Sequence, residues 1–170
     1  SFALTLTPDG AFVLFASLAN NLVTNRCPGA SFQLFLRCRT NGTTRLVSVN
    51  PAGGGGDGDS SLAAVTPDGR YVVFQSDASD LVANDSNDAS DVFVRDMMTG
   101  TTRLVSVNRL GNSSGNGASF DPVITPDGRW VAFASAASDL VIADANNFPD
   151  VFVRDLWAGI TTLASVGARK

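Results

Sequence analysis

The chain has 170 residues, a mass of 17.7 kDa and a formal charge of −4, which suits one ordinary domain with a single sizeable core. Because 44% of the residues are hydrophobic and 16% are charged, a disordered chain is not expected. No apolar run approaches the ~20 residues of a membrane-spanning helix, and scattered Lys and Arg argue against a nucleic-acid surface. His is absent, which removes the usual zinc ligand and the Ser-His-Asp triad.

A Thr-Pro-Asp-Gly motif organises the chain. It begins at Thr7, Thr66 and Thr125, so successive copies lie 59 residues apart. Each copy is followed by a run rich in β-branched and aromatic residues, as at residues 71–74, and then by a second such run, as at residues 92–94. Three copies in the same order indicate a chain built from one repeated unit.

Each repeat predicts four short strands and no helix. The Thr-Pro-Asp-Gly motif predicts a tight turn between the first two strands, because Pro fixes φ, Asp bonds back to the backbone and Gly accepts the left-handed conformation. The second and third strands are apolar on both faces, which is typical of central strands. A second turn, at Asn41 and Gly42 or at Thr99 and Gly100, leads into a mixed polar and apolar fourth strand that is expected at an outer edge.

A small sheet that is repeated radially, apolar on both faces and polar at one edge, is typical of a propeller blade. The repeat places the blades at residues 1–59, 60–118 and 119–170 of one continuous domain. The predicted fold is therefore all-β, with three four-stranded antiparallel propeller blades that form a partial or half propeller.

Propellers close with about four to eight blades, so the end faces of a three-blade chain need a cover. Three arrangements provide one: further blades of a longer chain, a second copy that completes a six-bladed ring, or an open assembly of many copies. We expect a fragment or half propeller that associates with itself, rather than a stable monomer.

The residues also resemble a known family. Thr-Pro-Asp-Gly-Arg-Tyr-Val-Val-Phe at residues 66–74, Asp-Val-Phe-Val-Arg-Asp at 91–96 and Thr-Gly-Thr-Thr-Arg-Leu-Val-Ser at 99–106 are similar to the repeats of TolB-like (WD-like) bacterial β-propellers. The resemblance extends over essentially the whole chain. It implies a secreted or periplasmic, non-catalytic scaffold for protein interaction or self-assembly. The alternatives are an accessory propeller of a larger hydrolase or carbohydrate-processing enzyme, and a structural filament subunit.

The long loop between the second and third strands carries the pattern Asp-x-Asn-x-x-x-Asp. Two carboxylates and an amide are oxygen ligands of the kind that Ca²⁺ prefers, so the pattern predicts a calcium site. The alternative is that Asp and Asn cap backbone amides in a long turn. The candidate ligands are Asp85, Asn87 and Asp91 in the second blade and Asp144, Asn146 and Asp150 in the third.

The first blade departs from this pattern. Its loop has one additional residue, lacks the acidic set and contains Cys27. Cys27 and Cys38 could form a disulfide bridge in an oxidising compartment or remain two free thiols. Either the first blade uses a disulfide where the others use an ion, or none of the loops holds an ion.

Two further patterns predict how the blades connect. Arg95 and Asp96, with their counterparts in the third blade, are expected to tie one blade to the next through charge-assisted hydrogen bonds. The glycine-rich segments 51–58 and 111–117 are expected to be flexible spacers. No catalytic residue is predicted, because the acidic residues recur once per blade, whereas an active site is usually unique.

Overall fold

The computed structural model describes residues 1–142, 144 and 148–166. Within this part of the chain the regular elements are β-strands, arranged in three four-stranded antiparallel sheets. Among the described residues no helix is long and apolar enough to cross a membrane. The prediction of an all-β chain with three four-stranded blades is confirmed.

The strands of each sheet neighbour one another in chain order. Blade one comprises β1 (Phe2–Leu6), β2 (Phe12–Ser17), β3 (Gln33–Cys38) and β4 (Thr44–Leu46). Blade two comprises β5 (Ser60–Val65), β6 (Tyr71–Ser76), β7 (Asp91–Asp96) and β8 (Thr101–Leu104). Blade three comprises β9 (Ser119–Ile124), β10 (Trp130–Ser135), β11 (Asp150–Asp155) and β12 (Ile160–Leu163).

The Thr-Pro-Asp-Gly turn joins the first strand of each blade to the second, as predicted. In blade one, Asp9 Oδ1 accepts hydrogen bonds from the Thr7 hydroxyl at 2.7 Å and from Ala11 N at 2.9 Å. Thr7 Oγ1 in turn accepts a hydrogen bond from Phe12 N at 3.0 Å. Gly10 has a φ of 68°, a left-handed conformation that glycine adopts without steric cost. The side chains of the motif thus fix the register between the two strands.

Neighbouring blades pack face to face through their central strands. On β6, Val72 and Phe74 pack against blade one, whereas Val73 packs against blade three. On β7, Phe93 packs toward blade one and Val94 toward blade three. All five side chains are at most 1% exposed. Burial on both faces is therefore confirmed for blade two, and each large apolar side chain stabilises the stack by roughly 1.5–3 kcal/mol.

The glycine-rich segments are packed, so the expectation of flexible spacers is wrong. Segment 51–58 pairs with the end of blade one through a bridge between Val49 and Gly55, and the second segment makes a matching bridge. A Cβ atom placed on Gly58 would lie 2.5 Å from the backbone of Asp77 in blade two. Glycine is required there because the linker passes directly against the backbone of the next blade.

Each linker also forms a reciprocal hydrogen-bond clasp with the blade that follows it. Asp57 N donates to Asp80 Oδ1 at 3.0 Å, and the Asp57 carboxylate accepts from Ser79 N at 2.8 Å. The second linker repeats the arrangement, with Asn116 N donating to Asp139 Oδ1 at 2.9 Å. These clasps, together with the apolar faces, connect the blades.

Gly58→Ala is expected to lower the free energy of unfolding by about 1–3 kcal/mol, because the added methyl group overlaps the backbone of Asp77. Gly29→Ala is the control, since a Cβ atom on Gly29 has no neighbour within 4 Å. The control is expected to change stability by less than about 0.5 kcal/mol. Urea unfolding followed by tryptophan fluorescence measures both. Equal stabilities of the two variants would contradict a packed linker.

Candidate cation-binding loops and open blade faces

The structure brings Asp85 and Asp91 together in blade two. Asp91 begins β7 and is fully buried, whereas Asp85 lies in the preceding loop and is half-buried. The Ser106 hydroxyl donates a hydrogen bond to Asp91 Oδ1. The carboxyl groups of Asp85 and Asp91 lie within hydrogen-bonding reach of each other. Among the described residues, no group donates a hydrogen bond to the buried Oδ2 atom of Asp91.

Burial and like charge act together on these two carboxyl groups. Loss of solvation raises the pKa of Asp91, and the negative charge of Asp85 raises it further. Loss of solvation also raises the pKa of Asp85. The two ion pairs within the described part of the chain involve other aspartates, so neither carboxyl group has an Arg or Lys partner there. Two adjacent carboxyl groups in this setting hold either a shared proton or a cation.

Asn87 supports the loop and also lies beside the carboxyl pair, where its side chain lowers the pKa of Asp91. Its Oδ1 accepts a hydrogen bond from Ala89 N at 2.9 Å, and its Nδ2 donates to Gly115 O at 2.7 Å. This is the backbone-capping role that the sequence offers as the alternative for Asn and Asp. The described residues contain no group of three or more Asp, Glu, His or Cys side chains that could hold a metal ion. An ion in blade two would therefore take two carboxylates from the protein.

Blade three repeats part of this arrangement. Asp150 begins β11, is buried, and accepts a hydrogen bond from the Ser165 hydroxyl, as Asp91 does from its own serine. Asp144 is half-buried in the preceding loop. Asn146, the third candidate ligand of this blade, lies outside the described residues. The buried pair of an aspartate and a serine is thus common to blades two and three.

Blade one builds the corresponding position from neutral residues. Gln33 begins β3 where Asp91 begins β7. Its Oε1 accepts hydrogen bonds from Ser48 Oγ at 2.7 Å and from Gly56 N at 3.1 Å, and its Nε2 donates to Gly56 O at 2.9 Å. In blade one an amide therefore occupies the position that a carboxylate occupies in the other blades. The protein itself supplies the hydrogen-bond partners of this amide.

The two cysteines are free thiols in this structure. Cys27 takes the loop position of Asp85, since the residues before them, Arg26 and Asn84, each accept a hydrogen bond from the following linker through the backbone carbonyl. Cys27 is buried, and burial raises the pKa of its thiol. Cys38 ends β3, where a hydrogen bond with a threonine hydroxyl lowers the pKa of its thiol. Hydrogen bonding by an amide, rather than a disulfide, replaces the acidic pair in blade one.

The Arg and Asp residues at the ends of the third strands do not tie one blade to the next, so that expectation is wrong. Asp155 pairs with Arg129 of its own blade at 2.7 Å, and Asp96 pairs with Arg70 at 3.1 Å. Arg154 donates to a threonine hydroxyl of the adjacent strand at 2.7 Å. The ion pairs form within a blade because the arginine that follows the Pro-Asp-Gly turn lies beside the end of the third strand.

Two surface grooves recur at successive junctions between blades. One, of about 540 Å³, lies between Pro51 and Thr101, and the other, of about 610 Å³, lies between Leu110 and Ile160. The two grooves occupy equivalent places in the repeat. They therefore follow from the stacking of blades and do not mark a unique ligand pocket.

Among the described residues, one apolar face of the blade-three sheet has no cover. Val151 is 44% exposed there, whereas Val92 at the same place in blade two is fully buried. Contiguous apolar faces that are exposed on a folded protein often mark interaction surfaces. The open face presents Ala132, Val151, Val153 and Ala164, which correspond to Val73, Val92, Val94 and Val105 of blade two.

Comparisons with known proteins support the fold. No protein-family profile matches the chain, and no curated protein sequence does. Among solved structures, TolB from Acinetobacter baumannii is 18% identical with a TM-score of 0.55, over 93% of this chain and 30% of that one. A putative TolB from Agrobacterium tumefaciens is 15% identical with a TM-score of 0.57, over 95% of this chain and 48% of that one.

The β-propeller domain of the Trilobed protease from Pyrococcus furiosus is 12% identical with a TM-score of 0.54, over 95% of this chain and 40% of that one. At such identities the likeness shows the fold alone. The structural neighbours are TolB-like and peptidase propellers, and the chain comprises three propeller blades in a sheet arrangement that is not closed. It spans less than half the length of each of these three neighbours.

The ion pair of blade three predicts a specific response to acid. The hydrogen bond from Arg129 lowers the pKa of Asp155 to about 2, below the ~3.9 of an unfolded aspartate. The pair therefore stabilises the fold fully above about pH 4, and its contribution is lost as the pH falls toward 2. Arg129→Gln is expected to lower stability at neutral pH, with a difference from the wild type that shrinks below about pH 4.

Urea unfolding at a series of pH values measures this difference. Arg26→Gln is the matched control, because Arg26 is exposed and forms no ion pair within the described residues. A difference for Arg129→Gln that stays constant down to acid pH would show that the arginine contributes by packing and not by its charge.

Proposed function

We propose that the chain is a non-catalytic β-propeller scaffold that completes its ring with a second copy of itself and presents its loops to protein partners. The observation that carries the proposal is the open face of blade three. Its apolar residues occupy positions that are buried at the interface between blades two and three.

The opposite end of the chain is the side of blade one that would meet this face, and there Phe35 is buried and Phe15 is half-buried. Phe15 and Phe35 stack with ring centroids 5.6 Å apart on the side of blade one that has no neighbour. The equivalent pairs of blades two and three have centroid distances of 5.7 and 5.9 Å, and both pack toward the preceding blade. Two copies joined in this way give six blades, which is within the range of closed propellers.

Protein partners are proposed at the loops between strands, which a rigid blade scaffold holds in place. A net charge of −4 argues against nucleic acid as the partner. A bacterial periplasmic or extracellular location belongs to the same proposal, and the similarity to the two TolB structures supports it. No residue is assigned a catalytic role, since the acidic residues of the blades recur as turn and pairing residues.

A second candidate function is that of an accessory propeller in a larger hydrolase. The likeness to the propeller domain of the Trilobed protease favours it. In this case further blades of the same polypeptide, and not a second copy, would cover the open face.

Light scattering of the purified chain tests the proposal, and a discrete dimer is the expected result. Val151→Glu is expected to convert the dimer to monomer, because it places a charge on the covered face at both junctions of the ring. Met98→Glu is the control, since Met98 is 79% exposed in a turn at the blade edge. It should leave the dimer intact.

Other masses would overturn self-closure. A monomer that melts cooperatively and is unchanged by Val151→Glu would favour a segment of a longer propeller. Large species of many sizes would instead indicate a filament.

A further inference from the structure

We propose that Asp85 and Asp91 of blade two form a binding site for a divalent cation of the calcium class. The site lies within one blade and is thus independent of the scaffold's self-association. It is built from a buried carboxylate at the start of a central strand and a half-buried carboxylate in the loop before it.

The buried oxygen of Asp91 is the observation that points to a ligand. The Asp91 side chain is 0% exposed, and within the described part of the chain its Oδ2 has no hydrogen-bond donor. A buried ionised oxygen without a partner is costly, and in proteins such groups are paired or coordinate a metal. The carboxyl of Asp85 lies close by and carries the same sign of charge. A cation between the two would satisfy both.

The surrounding charges also favour a cation. Asp57 adds negative charge near Asp85, and no Arg or Lys of the described residues pairs with either carboxylate. A negative site without a positive side chain attracts a mobile positive ion.

The available ligands fit a hard cation. All of them are oxygens, because the chain contains no His and Cys27 lies in a different blade. Ca²⁺ accepts six to eight oxygen ligands in flexible geometry, including several waters. Asp85 is half-buried and reaches solvent, which gives the ion an entry path and leaves room for water ligands.

A shared proton is the competing way to relieve the two carboxylates. Burial raises the pKa of Asp91 and thereby favours the protonated form. This alternative predicts stability that does not depend on calcium and that is lost as the pH rises through the raised pKa. A bound cation instead predicts that the protein is more stable in CaCl₂ than in EDTA at neutral pH.

Calorimetric titration with CaCl₂ and thermal unfolding in EDTA or CaCl₂ test the proposal. Both use the full chain with Asp144→Asn, so that the similar loop of blade three adds no signal. One Ca²⁺ per chain and a higher Tm in CaCl₂ are expected. Adding Asp85→Asn should weaken binding at least tenfold, and Asp91→Asn should do the same if the folded state is retained.

Asp88→Asn is the matched control, because Asp88 is exposed in the same loop. It should leave both binding and the calcium-dependent Tm unchanged. If Asp88→Asn and Asp85→Asn weaken calcium binding equally, the overall charge of the loop attracts the ion, and the proposed site is overturned. Absence of any calcium effect would also overturn it, and stability that falls with rising pH only while Asp85 is present would identify the shared proton.

Discussion

Face-to-face packing between blades is the interaction on which the rest of the structure depends. Neighbouring residues of one strand, Val72 and Val73, are buried against different blades. A four-stranded sheet with apolar central strands cannot bury both faces within itself, so each blade depends on its neighbours for the burial of its faces. Val151 of blade three corresponds to Val92 of blade two. Val92 is buried against a neighbouring blade, whereas Val151 is exposed.

The same packing sets the conformation of the linkers. A linker that leaves the outer strand of one blade must reach the inner strand of the next along the junction between them. Gly58 meets the backbone of Asp77 there, and the Asp57–Asp80 clasp holds the chain in this path. The second half of each segment, which contains Gly58 or Gly117, is therefore tightly placed, since the blades can stack closely only if the linker has no side chain at the contact.

The sequence predicts what is local and repeated. The strands, the turn that ends at Gly10 and the burial of β6 on both faces follow from patterns within a few residues that recur every 59 residues. Pairing between distant residues is not predictable in this way. Asp155 has Arg129 as its partner only because the sheet brings a turn beside a strand end. Likewise, the contact of Asp85 with Asp91 depends on how the loop folds back, which spacing alone does not define.

A comparison of equivalent residues in the blades shows which side chains the fold requires and which it does not. Gln33 and Asp91 begin equivalent strands, and each accepts a hydrogen bond from a serine of the following strand region. The amide of Gln33 completes its hydrogen bonds with backbone groups of the linker, whereas Asp91 retains a buried oxygen beside Asp85. Because a neutral residue supports the same backbone, folding does not require the two carboxylates. Burial of the two carboxylates costs desolvation free energy and brings like charges together. A cation bound between them would offset both costs and would explain why blade two contains them.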